Sequence, residues 1–185
     1  MGSSLINILG MEISRSSLDH SVGVIGRRAE TCQGGYVCAA NAQMIAMARQ
    51  SEGLRAVIEN AFLATPDGLP LVWVLKAQGH KDAVRVTGTD LTLKLCEAAE
   101  QRGISAMFYG GSPETIACLK DSISQRFPRL RVAGYESPPI LPERPEVDMQ
   151  VVERIKASGA RIVFVGLGCP KQEFWMAAYS PHLPA

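Results

Sequence analysis

The sequence lacks a dominant charge. Lysine and arginine together number 19 against 18 aspartate and glutamate residues, which leaves a formal net charge of +1. No long basic run is present, although a basic stripe is the usual footprint of a nucleic-acid-binding surface. The composition therefore argues against nucleic acid as a partner. Hydrophobic residues make up 46% of the 185 residues, which is typical of one globular domain with its own core.

Patterns that bind metals or form disulfides are also missing. The five cysteines include no C-x-x-C pair, and the three histidines lie far apart in the sequence. A zinc site needs several such ligands, usually in closely spaced pairs. The sequence therefore predicts reduced thiols and no metal site.

Long apolar runs are absent as well. No run reaches the ~18 residues that spanning a bilayer requires. The N-terminus also lacks the basic region followed by an apolar region that marks a signal peptide. These absences predict a cytoplasmic protein. They leave open a peripheral position on the inner face of the cytoplasmic membrane.

Strand and helix patterns alternate along the chain. A first strand or hairpin is predicted at Ile6–Ile13 and a first helix at Arg15–Glu30. Later strands are predicted at Tyr36–Ala40, Phe62–Thr65, Ile104–Tyr109, Leu130–Gly134 and Arg161–Leu167. Strands that alternate with helices form mostly parallel sheets. The sequence therefore predicts a single α/β domain over residues 1–185, with a mostly parallel, Rossmann-like sheet and helices on both faces.

Four turns are predicted at one edge of this sheet. They are Ala40-Asn41, Pro66-Asp67-Gly68, Gly110-Gly111 and the stretch from Gly166 to Glu173. Ligands of parallel sheets bind beyond the carboxyl ends of the strands, where these turns converge. A binding site is expected at this edge.

The glycine turns match neither a dinucleotide motif nor an ATP-binding motif. G-x-G-x-x-G requires glycine where this sequence has Lys171, and no G-K-[ST] is present. Glycine still lets a phosphate approach the backbone, and helix N-termini attract anions. Gly110-Gly111 and Gly166-x-Gly168 are therefore candidates for holding a diphosphate. The alternative is that they only form tight turns between strands and helices.

The polar residues at these turns each have a structural alternative. Asp67 can accept a proton at the ligand edge, or it can cap the following helix. Asn41 fits a helix N-cap, and Arg85 can meet an anionic ligand or simply lie on the surface. Asp90 with Thr87 fits a capping box, which already explains both residues.

Five blocks in this order resemble the WecG/TagA/CpsF family of bacterial glycosyltransferases, glycosyltransferase family 26. The blocks are N-A-Q-M (Asn41–Met44), P-D-G (Pro66–Gly68), R-V-T-G-T-D-L (Arg85–Leu91), Y-G-G (Tyr109–Gly111) and V-G-L-G-C-P-K-Q-E (Val165–Glu173). The likeness covers nearly the whole chain from Ile6 onward. It implies an inverting enzyme that moves a sugar, often N-acetylmannosamine, from a UDP-sugar to an acceptor sugar on a polyprenyl diphosphate. The products of the family are cell-surface polysaccharides and teichoic acid linkage units.

The resemblance also implies roles for individual residues. Asp67 is the candidate general base, with Asn41 near it and Arg85 placed to meet the diphosphate or the acceptor. The other positions implied in substrate binding are Gly68, Thr87, Gly88, Asp90, Gly110, Gly111, Gly166, Gly168, Lys171, Gln172 and Glu173. No metal or other cofactor is expected. The implied partners are a UDP-sugar and a lipid-linked acceptor at the membrane surface. Whether the protein forms a homo-oligomer is left open.

The chain stops earlier than the resemblance implies. Its last residues are Pro184-Ala185, shortly after the helix that is predicted to follow Glu173. Family members continue and carry an arginine-rich C-terminal tail that is thought to meet the membrane. The expectation is a core that lacks the C-terminal part of the fold and has little or no activity alone. The alternative is a nucleotide-sugar-binding module without turnover.

Overall fold

Strands and helices alternate over residues 5–184, the part of the chain that the computed structural model describes. The strands are β1 (Leu5–Ile8), β2 (Met11–Ser14), β3 (Val37–Ala40), β4 (Leu63–Pro66), β5 (Ala106–Gly110), β6 (Val132–Glu136) and β7 (Ile162–Gly166). The helices are α1 (Leu18–Glu30), α2 (Ala42–Ala48), α3 (Glu52–Glu59), α4 (Leu69–Ala77), α5 (Gly88–Arg102), α6 (Pro113–Arg126), α7 (Met149–Ser158) and α8 (Lys171–Tyr179). A 3-10 turn, Ser180–His182, follows α8. Every predicted strand is present, with its ends shifted by a few residues.

Side-chain caps determine where most of the helices begin. In each case a side-chain oxygen accepts a first-turn backbone N–H that has no partner within the helix. The caps are Ser17 for α1, Asn41 for α2, Ser51 for α3, Thr87 for α5, Ser112 for α6 and Asp148 for α7. The cap at Ser17 corrects one predicted boundary, because α1 begins at Leu18 and not at Arg15.

The parallel strands form two hydrogen-bonded groups. In one group β3 pairs with β4, and in the other β5 lies between β6 and β7. The strand or hairpin predicted at Ile6–Ile13 is a hairpin, the antiparallel pair of β1 and β2. The mostly parallel α/β fold is confirmed. Within residues 5–184, however, β3 and β7 each have one strand neighbour and one edge without a strand.

Both faces of the second group are covered by helices, as predicted. Side chains alternate between the two faces along a strand. Ala106 and Phe108 of β5 therefore pack with residues of α1, α5 and α6. Met107 and Tyr109 pack on the other face with residues of α7 and α8.

Helix α4 has one buried apolar face and one exposed aromatic side chain. Leu71, Val72 and Leu75 are buried in a core that includes the hairpin. Trp73 is 63% exposed, whereas the other tryptophan, Trp175 on α8, is only 2% exposed. Neither α4 nor any other helix within residues 5–184 is long and apolar enough to cross a membrane.

Candidate active site

Asp67 lies directly after β4, beside the end of β3. Its backbone N–H donates to the carbonyl oxygen of Ala40 at 2.7 Å. Its carboxylate oxygen Oδ2 accepts the backbone N–H of Gly88 at 3.1 Å. Gly88 is the first residue of α5, where backbone N–H groups have no partner within the helix. The backbone of Asp67 is therefore held at the end of β3, and its half-buried carboxylate is held at the start of α5.

The structure rules out one alternative for Asp67, that it caps the helix following it. The N-cap of α4 is Gly68, and it makes no side-chain cap hydrogen bond. Gly68 has a φ of +141°, a conformation that glycine adopts freely and that strains other residues. The role of Asp67 as a cap of α4 is thus a wrong prediction, since its carboxylate instead bonds the start of α5.

Asn41 and Thr87 are the caps that the sequence predicts. The Asn41 Oδ1 atom accepts the N–H of Met44 at 2.9 Å. The Thr87 Oγ1 atom accepts the N–H of Asp90 at 2.9 Å, and the same hydroxyl donates to the carboxylate of Asp90 at 2.7 Å. These contacts fix the starts of α2 and α5 close to the two strand ends.

Arg85 is exposed in the segment that leads into α5. The N–H of Val86 donates to the carbonyl oxygen of Pro66 at 3.0 Å, and the Thr65 hydroxyl donates to the carbonyl oxygen of Val86 at 3.3 Å. These two bonds hold the segment alongside the end of β4. The backbone of Arg85 therefore runs beside the strand that ends at Asp67, while its side chain faces solvent.

The glycines at the ends of β5 and β7 lie side by side. Gly110 pairs with Gly166 in the parallel register. Gly110 has a φ of +123°, and a Cβ atom at this position would lie 2.4 Å from the carbonyl oxygen of Gly166. Strand packing alone therefore requires glycine at 110. A Cβ atom at Gly166 or Gly168 would meet no atom within 4 Å, so the space beside these two glycines is open.

The first turn of α8 carries Lys171, Gln172 and Glu173. The Gln172 Oε1 atom accepts the N–H of Gly168 at 3.2 Å, and its Nε2 atom donates to Oε1 of Glu173 at 2.9 Å. Glu173 is only 1% exposed, and its Oε2 atom is buried without a hydrogen-bond partner among the described residues. Lys171 and Gln172 are half-buried. Gln172 thus links the glycine turn to a buried acid.

One cavity of about 230 Å³ lies between β3 and β7. It reaches predicted site residues at the start of α5 and in the first turn of α8. Gly88, Gln172 and Glu173 line it. Because Gly88 is bonded to Asp67, the cavity brings α8 close to the turn that carries the carboxylate. The predicted site residues that do not line the cavity are Asn41, Asp67, Gly68, Arg85, Thr87, Asp90, Gly110, Gly111, Gly166, Gly168 and Lys171.

Two thiols near Glu173 were missed by the sequence prediction. Cys38 of β3 is buried, and this burial, followed by the charge of Glu173, raises the pKa of its thiol well above the usual range. Burial and the neighbouring Glu173 also raise the pKa of Cys169 to about 12. Cys38 is far from Glu173 in the sequence, so no motif could have revealed that proximity, whereas Cys169 precedes Glu173 by four positions in the same block. Within residues 5–184, no three or more His, Cys, Asp or Glu residues are grouped to hold a metal ion.

Two comparisons with known proteins bear on the family of the chain. The chain matches the family described as "Glycosyl transferase WecG/TagA/CpsF family" over residues 6–185. It is also 32% identical over 152 residues to the N-acetylglucosaminyldiphosphoundecaprenol N-acetyl-beta-D-mannosaminyltransferase of Bacillus spizizenii. That match covers 82% of this chain and 57% of the relative, so the chain spans little more than half of the relative's length. The resemblance of the five blocks is confirmed, and the chain belongs to the WecG/TagA/CpsF family of glycosyltransferases.

Proposed function

We propose that the chain forms the core of an inverting glycosyltransferase. The sugar, an N-acetylmannosamine-like residue, moves from a UDP-sugar to an acceptor sugar on a polyprenyl diphosphate. Family membership carries the proposal, together with the name of the Bacillus spizizenii relative, an N-acetylmannosaminyltransferase that acts on a diphosphoundecaprenol-linked N-acetylglucosamine. The UDP carrier and the inversion come from the sequence resemblance. The product belongs to cell-surface polysaccharide or teichoic acid synthesis.

Asp67 is the general base in this proposal. Its carboxylate takes the proton from the acceptor hydroxyl while the hydroxyl oxygen forms a bond to the anomeric carbon of the donor. The bond between that carbon and the diphosphate oxygen breaks at the same time, and UDP leaves with the electron pair. Attack from the face opposite UDP inverts the anomeric centre. The bond from the N–H of Gly88 to Oδ2 supports this role, because it fixes the carboxylate at the edge of the sheet.

The donor diphosphate is assigned to the glycine turns. The open space beside Gly166 and Gly168 lets phosphate oxygens approach the backbone there. The turn leads into the N-terminus of α8. Free N–H groups at a helix N-terminus favour an anion there and stabilise the charge on the departing UDP. Arg85, exposed near the end of β4, is the side chain proposed to meet the diphosphate or the acceptor. The reaction is proposed to need no metal or other cofactor.

The acceptor places the reaction at a membrane surface. A polyprenyl chain stays in the bilayer, so the site works on a sugar presented at the inner face of the cytoplasmic membrane. The protein is therefore proposed to be a peripheral partner of that membrane, without nucleic acid as a ligand.

The proposal is tested by measuring UDP release. The full-length product of the gene is incubated with UDP-N-acetylmannosamine and a lipid-diphosphate N-acetylglucosamine analogue, and the same assay is run with the chain alone. We expect turnover by the full-length protein, with a product of inverted anomeric configuration by NMR. Absence of UDP release from a panel of UDP-sugars would refute the proposed activity.

A binding module without turnover is the second candidate. It is motivated by the limited span of the chain, 57% of the length of the relative. Calorimetry with UDP separates the two candidates. Binding of UDP by the full-length protein, with no sugar transfer, would favour the module.

A further inference from the structure

The outer side of helix α4 is apolar. Six positions of the helix are exposed, namely Leu69, Pro70, Trp73, Val74, Lys76 and Ala77. At 3.6 residues per turn they share one arc of about 160°, with Lys76 at its border. We call this arc the α4 face. A helix face in contact with water normally carries charged and polar side chains, so the composition of the α4 face is unusual.

Helix α3 provides a comparison within the same core. Its Leu54 and Ile58 are buried in the cluster that also buries one side of α4. Its exposed positions, however, are Glu52, Arg55, Ala56 and Glu59. Packing on this core therefore does not require an apolar outer side. At nine residues, α4 is about 13 Å long, far short of a bilayer of about 30 Å, so an apolar medium would contact it along its side.

Most of the exposed apolar side chains lie on α4 and on the segments beside it. Of eight large hydrophobic residues that are exposed among the described residues, six belong to the β1–β2 hairpin, to α4 or to the segment after α4. These six are Leu5, Leu9, Leu69, Trp73, Val74 and Val84. The Gln78 Nε2 atom, at the end of α4, donates to the carbonyl oxygen of Asn7 at 3.1 Å and holds the helix beside the hairpin.

Positive charge borders the α4 face. Lys76, Lys81 and Arg85 are exposed. The only acid between residues 68 and 86 is Asp82, and its carboxylate contacts the guanidinium of Arg15. Such a border complements anionic lipid headgroups, and lysine side chains reach from apolar surface to polar surroundings. Pairing of two such faces would instead bring two sets of positive charges together.

We propose that the α4 face docks the protein onto a bilayer that contains anionic lipids. The helix lies along the membrane surface, with Leu69 and Trp73 at the boundary of the acyl chains and Lys76 and Lys81 against the lipid phosphates. Tryptophan is enriched at this boundary because its ring is apolar and its N–H is polar. The inference rests on the proposed function, since it names the surface by which the site reaches its lipid-linked acceptor.

Docking through the α4 face would keep the candidate base close to the headgroups. Leu69 follows Asp67 by two positions. Two residues of chain span at most about 7 Å, so the backbone of Asp67 lies within that distance of the docked helix. A sugar that a diphosphate links to the membrane is presented at the same level. The carboxylate can therefore meet the acceptor without extraction of the polyprenyl chain from the bilayer.

Co-sedimentation with vesicles tests the proposal without any turnover. The full-length product of the gene is mixed with vesicles of phosphatidylglycerol and phosphatidylethanolamine. We expect Trp73→Ser to raise the Kd for the vesicles by at least about tenfold, because a large apolar contact is lost. Met149→Ser is the matched control, since Met149 is 50% exposed on α7. It should leave the Kd unchanged.

A second pair of variants tests the charged border. Lys76→Gln combined with Lys81→Gln should raise the Kd for these vesicles by about tenfold or more and have little effect on vesicles of pure phosphatidylcholine. Lys120→Gln combined with Lys156→Gln removes the same charge from exposed positions on α6 and α7. This control should bind as the wild type does.

Sugar transfer then separates docking from the reaction. With the acceptor embedded in vesicles, Trp73→Ser should lower the rate of UDP release, whereas kcat with a short-chain, water-soluble acceptor should be unchanged. Absence of UDP release with every acceptor would refute the proposed function and leave the vesicle result intact. Normal UDP release with unchanged vesicle binding would refute docking alone.

Three outcomes would overturn the proposal. An unchanged Kd of Trp73→Ser for the anionic vesicles would show that the α4 face does not contact the membrane. Dissociation of a dimer by Trp73→Ser in analytical ultracentrifugation, with the vesicle Kd unchanged, would assign the face to a second copy. A lower thermal midpoint of the full-length variant, again with the vesicle Kd unchanged, would show that the rest of the protein covers the face.

Discussion

Asp67 and Gly110 both lie at the carboxyl end of a parallel strand, yet their positions are fixed by different contacts. The aspartate half of the site comprises Asn41, Asp67, Gly68, Arg85, Thr87, Gly88 and Asp90, and the glycine half comprises Gly110, Gly111, Gly166, Gly168, Lys171, Gln172 and Glu173. In the aspartate half, side-chain oxygens accept N–H groups at helix starts. In the glycine half, the backbones of Gly110 and Gly166 approach so closely that a Cβ atom is excluded.

This difference predicts which substitutions affect the reaction and which affect the stability. A side-chain hydrogen bond can be changed without moving the backbone, so substitutions in the aspartate half should affect the reaction more than the stability. A close backbone contact tolerates no added atom, so substitutions at Gly110 should affect the stability first. Four variants can break or sharpen this comparison.

The largest effect is expected for Asp67→Asn. Asparagine keeps an oxygen that can accept the N–H of Gly88 but cannot take the acceptor proton at neutral pH. We expect kcat for UDP release by the full-length protein to fall by about 10²- to 10⁴-fold, with little change in the thermal midpoint. Asp121→Asn, on the exposed surface of α6, is the control and should retain the wild-type rate. An unchanged kcat for Asp67→Asn would show that another group is the base.

Gly110→Ala should cost the most stability. The added Cβ atom would meet the backbone of Gly166, and φ is +123°. We expect the free energy of unfolding in urea to fall by about 3 kcal/mol. Gly159→Ala is the control, because Gly159 also has a positive φ but its Cβ atom would meet nothing within 4 Å. The control should lose only about 1 kcal/mol, and equal losses would refute the close-contact explanation.

Glu173→Gln should change the acidity of a neighbouring thiol. Burial first, and then the charge of Glu173, raise the pKa of Cys169 to about 12. Without that negative charge the thiolate is less disfavoured, so the pKa falls and the thiolate fraction at pH 8 rises. Each unit of lowered pKa raises that fraction about tenfold, and we expect faster alkylation by between about threefold and tenfold. The measurement uses a background in which Cys32 and Cys118, the other exposed cysteines, are serine.

An unchanged alkylation rate would place the Glu173 charge too far from Cys169 to act on it. Glu153→Gln provides the control, because Glu153 lies exposed on α7. It should leave the rate of Cys169 alkylation unchanged.

The smallest effect is expected for Thr87→Ala. The change removes the cap of α5 and should lower the free energy of unfolding by about 1 kcal/mol. It also frees the start of the helix that holds Asp67, so kcat should fall by less than it does for Asp67→Asn. Ser51→Ala, which removes the cap of α3, is the matched control and should cost similar stability with no loss of kcat. Equal kcat values in both variants would show that the cap of α5 does not affect the base.

Local patterns predicted most of the fold correctly because local contacts determine it. Ser112 and Pro113 start α6 as predicted, since capping depends on neighbouring residues alone. The division of the parallel strands into two groups was not predicted. Which strands become neighbours depends on tertiary packing, and the periodicity of each strand is the same in either arrangement.

The candidate site shows the same limit. The sequence indicates which turns lie at the carboxyl edge, because parallel strands all end there. It does not indicate that Asp67 bonds the start of α5, because Gly88 is 21 positions away along the chain. The burial of Glu173 is also hidden, since an acid in a first helical turn is normally exposed. Such contacts between distant positions become visible only in three dimensions.

The unequal exposure of the two tryptophans gives each half of the site its own optical reporter. Trp73 lies on α4, the helix that follows Asp67, and is 63% exposed, whereas Trp175 on α8 is 2% exposed and lines the cavity between β3 and β7. Acrylamide should quench the fluorescence of Trp73 and spare that of Trp175. Because an exposed tryptophan emits at longer wavelengths than a buried one, the two halves of the site contribute to different parts of the emission spectrum. A ligand at Asp67 and a ligand in the cavity between β3 and β7 would thus change the fluorescence at different wavelengths.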